Sequence, residues 1–361
     1  MNYWDYIRVE DLLSLQSGLR DDGQEVSHDE CLFIVAHQVY ELWFKLVLRE
    51  LGQARDTLRQ NPVPDSALAS VVRSLRRVIT IFEVAVEHFK LLETLTTRDY
   101  LAFRDRLIPA SGFQSAQMRE MEIVMGLSDD RRISFGSHDY KAALRSEDGT
   151  ESHASRRVAA RLAEGGSLKH ALYDWLARTP VDGAADAASV NDFLARFLSR
   201  HRAETEGRFE KARAVAQGEA DVAQLRARYD REIAQAEAFF RADDEPVAEH
   251  RAKTCHVRAA LLFLESYREL PRLSWPRELL DAIVALEQAF VIWRQRHARM
   301  VERVIGRRTG TGGSSGVDYL DQTALKYRVF DDVWAVRAML LQQSSLPPLR
   351  DAGAYGFKVE D

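Results

Sequence analysis

The chain has 361 residues, 50 basic against 55 acidic, for a formal net charge of -5. That length allows one large core or two modest ones, and arginines scattered among acids exclude a basic nucleic-acid-binding face. Two cysteines, Cys31 and Cys255, cannot build a disulfide framework, a CxxC zinc site, a CxxCH haem attachment or a four-cysteine iron-sulfur ligand set. The N-terminus, MNYWDYIRVEDLL, is charged from its fifth residue and lacks an apolar h-region, and no run reaches the roughly 18 apolar residues of a membrane span. A soluble cytoplasmic protein with no nucleic-acid and no membrane partner is expected.

In chain order, Tyr3, Trp4 and Tyr6 give the polar N-terminal arm more ring area than a loose tail needs, so it is expected to pack on something. Ser27 to Glu30 has the S-x-x-E spacing of a capping box. It opens a predicted helix to about Gln60, with Leu32, Ala36, Val39, Trp43, Leu46 and Leu58 along one side. Pro62 and Pro64 end it, and Ala67 to about Thr96 repeats the pattern, which predicts an antiparallel pair. Asp99 to Arg106 predicts a short helix before Pro109, and Ser111-Gly112 turns into another carrying Gln117, Met121 and Val124. Gly126 to Thr150 is polar and predicts an irregular connection; a helix follows from about Ser167 to Ala177. Ala, Glu and Arg dominate Asn191 to Phe240, predicting a solvated helical hairpin. Helical period resumes from His250 to Leu270, breaks at Pro271 and Pro276, and continues past Asp281; Tyr319 to Gln343 predicts one last helix. No period-two alternation and no repeat of 20 to 50 residues occurs, so the fold class is all-α.

The organising stretch is Asp281 to Gly316. Ile283, Leu286, Phe290, Trp293, Met300 and Val304 form one apolar stripe into which His297 falls, with Arg294, Arg296, Arg299 and Arg303 expected on its polar flanks. His37 lies in a similarly apolar helix, four residues after Phe33. Two such histidines are either hydrogen-bonded core residues or a pair sandwiching a flat cofactor, one as metal ligand and one on the open side. Tyr100 and Arg104, four apart, are either an exposed surface pair or a carboxylate clamp with two guanidinium bonds and a phenol. The run Gly310 to Gly316 is either a flexible linker or a place where backbone and Thr311 approach a small ligand. Rival chemistries lack their parts. The Glu-x-x-His spacing occurs as Glu25 and His28 before the helix cap, no G-x-S-x-G occurs, and the glycine run lacks a Gly-Lys-Ser/Thr ending.

Four blocks, HDECLFIVAHQVYELWFKLVLREL (28–51), LETLTTRDYLAFRDRLIPASGFQSAQMRE (92–120), YRELPRLSWP (267–276) and WRQRHARMVERVIGRRTGTGGSSGVDYL (293–320), resemble the tryptophan 2,3-dioxygenase family in sequence and order. The resemblance implies a helical bundle enclosing a b-type haem, in a homotetramer that opens the indole ring of L-tryptophan with dioxygen to give N-formyl-L-kynurenine. It makes His297 the proximal iron ligand and His37 the distal histidine facing the indole N–H. It implies that Phe33 packs on the indole, that Tyr100 and Arg104 hold the substrate carboxylate, that Thr311 binds the head group, and that Ser111 and Gly312 line the cofactor. Tyr3 and Tyr6 match an arm, residues 1–27, that reaches a neighbouring subunit's site. Residues 1–361 are then a single domain with a peripheral hairpin at 191–249. Two alternatives are a haem oxygenase of the same superfamily acting on a substituted tryptophan or indole, and a non-catalytic haem-binding helical protein. The departures from the family pattern, the Arg-rich flanks of the organising helix among them, are expected to bear on surface and assembly.

Overall fold

The computed structural model describes residues 1–18, 26–107, 115–133, 140–145, 150–308 and 316–356, and among them the regular elements are all helical, beside one isolated bridge between Val181 and Ala184. The α-helices are α1 (Tyr3–Tyr6), α2 (Val9–Leu13), α3 (His28–Leu58), α4 (Asp65–Leu92), α5 (Thr97–Arg104), α6 (Ala116–Met125), α7 (Tyr140–Ala143), α8 (His153–Ala163), α9 (Leu168–Leu176), α10 (Ala187–Arg213), α11 (Glu219–Phe240), α12 (Ala248–Ser266), α13 (Ser274–Ile305), α14 (Val317–Lys326) and α15 (Asp331–Arg337). Two compact units emerge: residues 1–54, 73–168 and 285–329, and residues 55–72, 169–284 and 330–361. Residues of α3, α4 and α13 are divided between them.

In the first unit the stripes expected on α4 and α13 become the core. On α3 the buried face is turned from the expected one: Ala36 and Leu58 are buried, but Leu32, Val39 and Trp43 are only half-buried and Leu46 is exposed. Tyr40, Phe44, Val47 and Leu51 of α3, Val78, Phe82, Ala85 and Phe89 of α4, and Leu286, Phe290 and Trp293 of α13 are all buried. Tyr40 donates its hydroxyl to the Ala85 carbonyl at 2.9 Å, while ten residues on Glu50 pairs with Arg77, so α3 and α4 run antiparallel as expected. By length and composition α3 is apolar enough to cross a membrane; here it is a core helix whose buried ring Tyr40 packs on Phe89. At its start Ser27 Oγ accepts the Glu30 N–H at 3.2 Å, and the Glu30 carboxylate pairs with Arg106 at 2.9 Å.

A full capping box starts α5. Thr96 Oγ1 accepts the Asp99 N–H and Asp99 Oδ2 accepts the Thr96 N–H, both at 3.2 Å, which fixes the first turn of the helix carrying Tyr100 and Arg104. Between α6 and α8 the described residues hold a short 3-10 turn at Asp129–Arg131 and the short α7, and are otherwise irregular. Helix α8 escaped the sequence reading: its small alanine-rich face packs Val158 against Ala116 and Leu144, while Arg157 and Arg161 reach Glu120 of α6.

The second unit holds the predicted hairpin, α10 and α11. It is less solvated than its composition implied, because Phe193, Phe197, Phe209, Tyr229, Ile233 and Phe240 are buried. Helix α12 is buried from His256 to Glu265, and its Arg258 is held by Asp244 at 2.6 Å and Asp332 at 3.1 Å. Pro276 does not break α13; it lies in the first turn, where a missing N–H costs nothing. The last predicted helix divides into α14 and α15. Within the first unit, Glu287 takes the Val329 N–H at 2.5 Å, removing it from any helical ladder.

Thr96→Ala is expected to destabilise the protein by about 1 kcal/mol. Urea denaturation should show a lower midpoint with an unchanged slope, and Thr96→Ser should restore it.

Candidate active site

Helix α13 carries His297 one turn beyond Trp293, so the imidazole and indole stack, with centroids 5.3 Å apart and planes 23° from parallel. Phe89 of α4 stacks on the same imidazole at 5.7 Å and 18°. Neither ring nitrogen of His297 has a hydrogen-bond partner among the described residues. Burial, reinforced by the His37 ring and the Arg294 guanidinium, holds its pKa down at about 4, so at neutral pH the ring is uncharged and carries a free lone pair. A hydrogen-bonded core histidine would have a partner; this one is aligned by aromatic faces.

His37, on α3, is solvent-accessible and yet deeply embedded among protein atoms, as befits the wall of a recess and not a convex surface. Its Nδ1 lies 2.7 Å from the Phe33 carbonyl, an acceptor, so Nδ1 carries the proton and Nε2 is left as an acceptor. Burial lowers its pKa, while the bond to Phe33 and the charge of Glu41 oppose that shift. Electrostatic coupling between the two imidazoles means that they share one region of the first unit.

Phe33 packs on His37 with centroids 4.0 Å apart, and on Phe103 and Tyr100 at 5.5 and 6.0 Å. Tyr100 is only 9% exposed and hydrogen-bonds Arg104; burial raises its pKa, against the nearby guanidinium, so the phenol stays protonated. The pair is therefore not an exposed surface pair. Phe33, His37, Tyr100, Arg104 and His297 all belong to one unit, the first four in a single cluster. Tyr3 and Tyr6 remain outside it, 75% and 74% exposed on α1. Ser111, Thr311 and Gly312 lie outside the described residues.

Several site residues were not singled out from the sequence. Phe89 and Phe103 were given no part in the site there. Glu41, one turn after His37, accepts from Ser115 Oγ and Gln117 Nε2 at 2.7 Å, tying α3 to the start of α6; its i,i+4 spacing from His37 was the available signal. Arg294 is a correction. It was expected on a polar flank of α13, but it is 6% exposed, because Glu122 of α6 takes its Nη2 at 2.5 Å and the Phe290 and Tyr327 rings flank it.

Among the described residues no group of three or more histidines, cysteines or carboxylates could chelate a free metal ion. A single neutral imidazole suits a metal whose other ligands come with it, as in a macrocycle. The buried Trp293 Nε1–H beside His297 also lacks an acceptor among the described residues, leaving a donor for a bound group.

The family model for tryptophan 2,3-dioxygenase matches residues 1–340. A tryptophan 2,3-dioxygenase of Sorangium cellulosum is 62% identical over 364 residues, covering 100% of this chain and 88% of its own. Tryptophan 2,3-dioxygenase 2 of Ralstonia nicotianae is 57% identical over 363 residues, covering 100% and 98%. Even the Anopheles gambiae tryptophan 2,3-dioxygenase is 32% identical over 358 residues, covering 97% and 88%.

In haem-free protein the low pKa of His297 makes folding pH-dependent. Its unfolded value is near 6.5 and its folded value about 4, so the unfolded state binds the proton first, and stability present above pH 6.5 is lost as pH falls toward 4. At pH 5 the loss from this residue should be of order 1–2 kcal/mol. Urea midpoints measured at pH 7 and pH 5 should therefore differ less in His297→Phe than in the parent protein.

Proposed function

The chain belongs to the tryptophan 2,3-dioxygenase family, and from that membership and its paired histidines we propose that it cleaves the indole C2–C3 bond of L-tryptophan with dioxygen, giving N-formyl-L-kynurenine. It acts as an oxidoreductase at the opening of tryptophan catabolism, and both oxygen atoms enter the product. The observation that carries the reading is His297: neutral, packed on the Phe89 and Trp293 rings, which also touch each other, and sharing a region with a second neutral histidine. When bound, haem b supplies the ferrous iron at which dioxygen is activated. His297 holds the iron, and Ser111 and Gly312 line the cofactor.

The remaining residues bind and orient. His37 Nε2, left without a proton by the Phe33 carbonyl, accepts the indole N–H. Phe33 and Phe103 give the indole an apolar wall. Arg104 and the protonated phenol of Tyr100 grip the carboxylate, and Thr311 the head group, so that the ring is held in one attitude and the encounter becomes nearly unimolecular. The working enzyme is a homotetramer in which Tyr3 and Tyr6 reach a neighbouring subunit's site. Their exposure supports this, as do Val35, Leu42 and Leu46, which form an exposed apolar stripe on α3. A cytoplasmic location fits Cys31 and Cys255 as free thiols.

Reduced, haem-loaded protein incubated with L-tryptophan and oxygen-18 gas should yield formylkynurenine carrying two labelled atoms; oxygen-free conditions that still give product, or one labelled atom, would refute the dioxygenase reading. His297→Ala is expected to lose the wild-type Soret band and turnover. Arg104→Leu should keep that band while KM for L-tryptophan rises sharply, since binding common to ground and transition states is removed. His37→Ala should lose roughly 2- to 12-fold in kcat/KM, the equivalent of about 0.5–1.5 kcal/mol for a hydrogen bond to a neutral N–H.

A further inference from the structure

Helix α3 carries Glu41 four residues after His37, one turn on along the same face, a spacing that puts the two Cβ atoms about 5–6 Å apart. The glutamate is held at both oxygens. Its Oε1 accepts the Ser115 hydroxyl at 2.7 Å and its Oε2 accepts Gln117 Nε2 at 2.7 Å, while its backbone carbonyl accepts the same nitrogen at 2.7 Å. Ser115 is the N-cap of α6, and its Oγ accepts the Met118 N–H at 3.3 Å, so the hydroxyl proton is left for Glu41. The carboxylate is thus fixed against the first turn of a helix whose N-terminal end favours negative charge. Ser115 and Gln117 are neutral. Glu41 makes no ion pair among the described residues, and residues 108–114, which lead into Ser115, contain no charged side chain.

Resting on the reading of His37 as the acceptor of the indole N–H, we propose that Glu41 is a positioning residue for the reaction: held by Ser115 and Gln117, its charge strengthens His37 Nε2 as a hydrogen-bond acceptor. A negative potential at the imidazole favours the positive end of an N–H dipole aimed at Nε2, and in a recess walled by protein that field is screened less than in bulk water. The same potential favours a proton on Nε2, against the burial that lowers the pKa of His37. A protonated ring has donors on both nitrogens and cannot accept the indole N–H. Glu41 therefore makes the acceptor stronger and, by the same charge, brings its acid limit to higher pH. The other groups around His37 lie on other sides of it: Phe33 packs on it, Tyr100 of α5 packs on Phe33 and bonds Arg104, and the His297 imidazole of α13 is electrostatically coupled to it. Glu41 touches no substrate and acts through His37.

The test is the pH profile of kcat/KM for L-tryptophan in the haem-loaded protein, which reports ionisations of the free enzyme. The parent should lose activity on the acidic side as His37 takes up a proton, and His37→Gln, with no such proton to take, should lack that limb. Glu41→Gln removes the charge and keeps an acceptor for Ser115. Its limb should move to lower pH, while kcat/KM on the plateau falls by less than the roughly 12-fold set by loss of the whole bond. Ser115→Ala removes a brace and keeps the charge, so its limb should stay with the parent's. Gln117→Lys sets a cation against the carboxylate and should move the limb in the same direction as Glu41→Gln. A limb that stays in place in Glu41→Gln, or that moves equally in Ser115→Ala as general loosening between α3 and α6 would make it, overturns the proposal. Should Glu41→Gln fail to fold, Gln117→Lys against Ser115→Ala decides by the same criterion. A limb that persists in place in His37→Gln, or haem-loaded parent that leaves tryptophan intact, overturns the reading of the site and this inference with it, an outcome distinct from a His37 limb that ignores position 41.

Discussion

The candidate site depends on keeping one imidazole uncharged, set among aromatic rings and, among the described residues, without a hydrogen bond. Two stacked aromatic contacts contribute about 0.5–1.5 kcal/mol each beyond their buried area, so the imidazole of His297 is held in place as long as Phe89 and Trp293 keep theirs. That condition reaches through the core, since Trp293 also packs on Phe44 at 5.6 Å and stacks with Phe290, while Phe89 packs on Tyr40 at 5.3 Å. The helices α3, α4 and α13 are in this sense a mount for one lone pair.

The opposite wall is built on a different principle. His37 is oriented by a hydrogen bond, its own helix supplying the Phe33 carbonyl, and that bond leaves Nε2 as an acceptor. One histidine is aligned by stacking and kept free on its nitrogens; the other is aligned by a bond that commits one nitrogen and frees the second. Burial disfavours the charged form of both, and the His37 ring further opposes a charge on His297. Glu41, fixed by Ser115 and Gln117, supplies a negative charge that partly offsets the burial at His37.

Most of the helices were legible because period and punctuation largely agree in this chain: the stripes on α4 and α13 are buried where the spacing put them, while on α3 the buried face includes Tyr40, Phe44 and Val47 and leaves Leu46 exposed. The failures share a cause. Periodicity tells which side of a helix is apolar, not what covers the rest, so Arg294 was assigned to solvent when a glutamate 172 residues away in sequence buries it. Helix α8 was overlooked because alanine and arginine give a weak stripe, and its ion pairs with Glu120 are non-local. The break between α14 and α15 follows from the Glu287 carboxylate, which no reading of residues 319–343 alone contains. The resemblance carried by the blocks at 28–51, 92–120, 267–276 and 293–320 agrees with the family the whole chain matches. Spacing alone had left the histidines and the Tyr100–Arg104 pair open.

The geometry bears on those open alternatives unequally. A surface pair of tyrosine and arginine gains little from being ordered, whereas Tyr100 is buried against Phe33 and Phe103, and the capping box of Thr96 and Asp99 fixes the turn it stands on. A neutral imidazole packed on aromatic rings, an acceptor imidazole and a buried phenol bonded to a guanidinium thus stand within one unit, and their placement follows from how α3, α5 and α13 are started, stacked and capped.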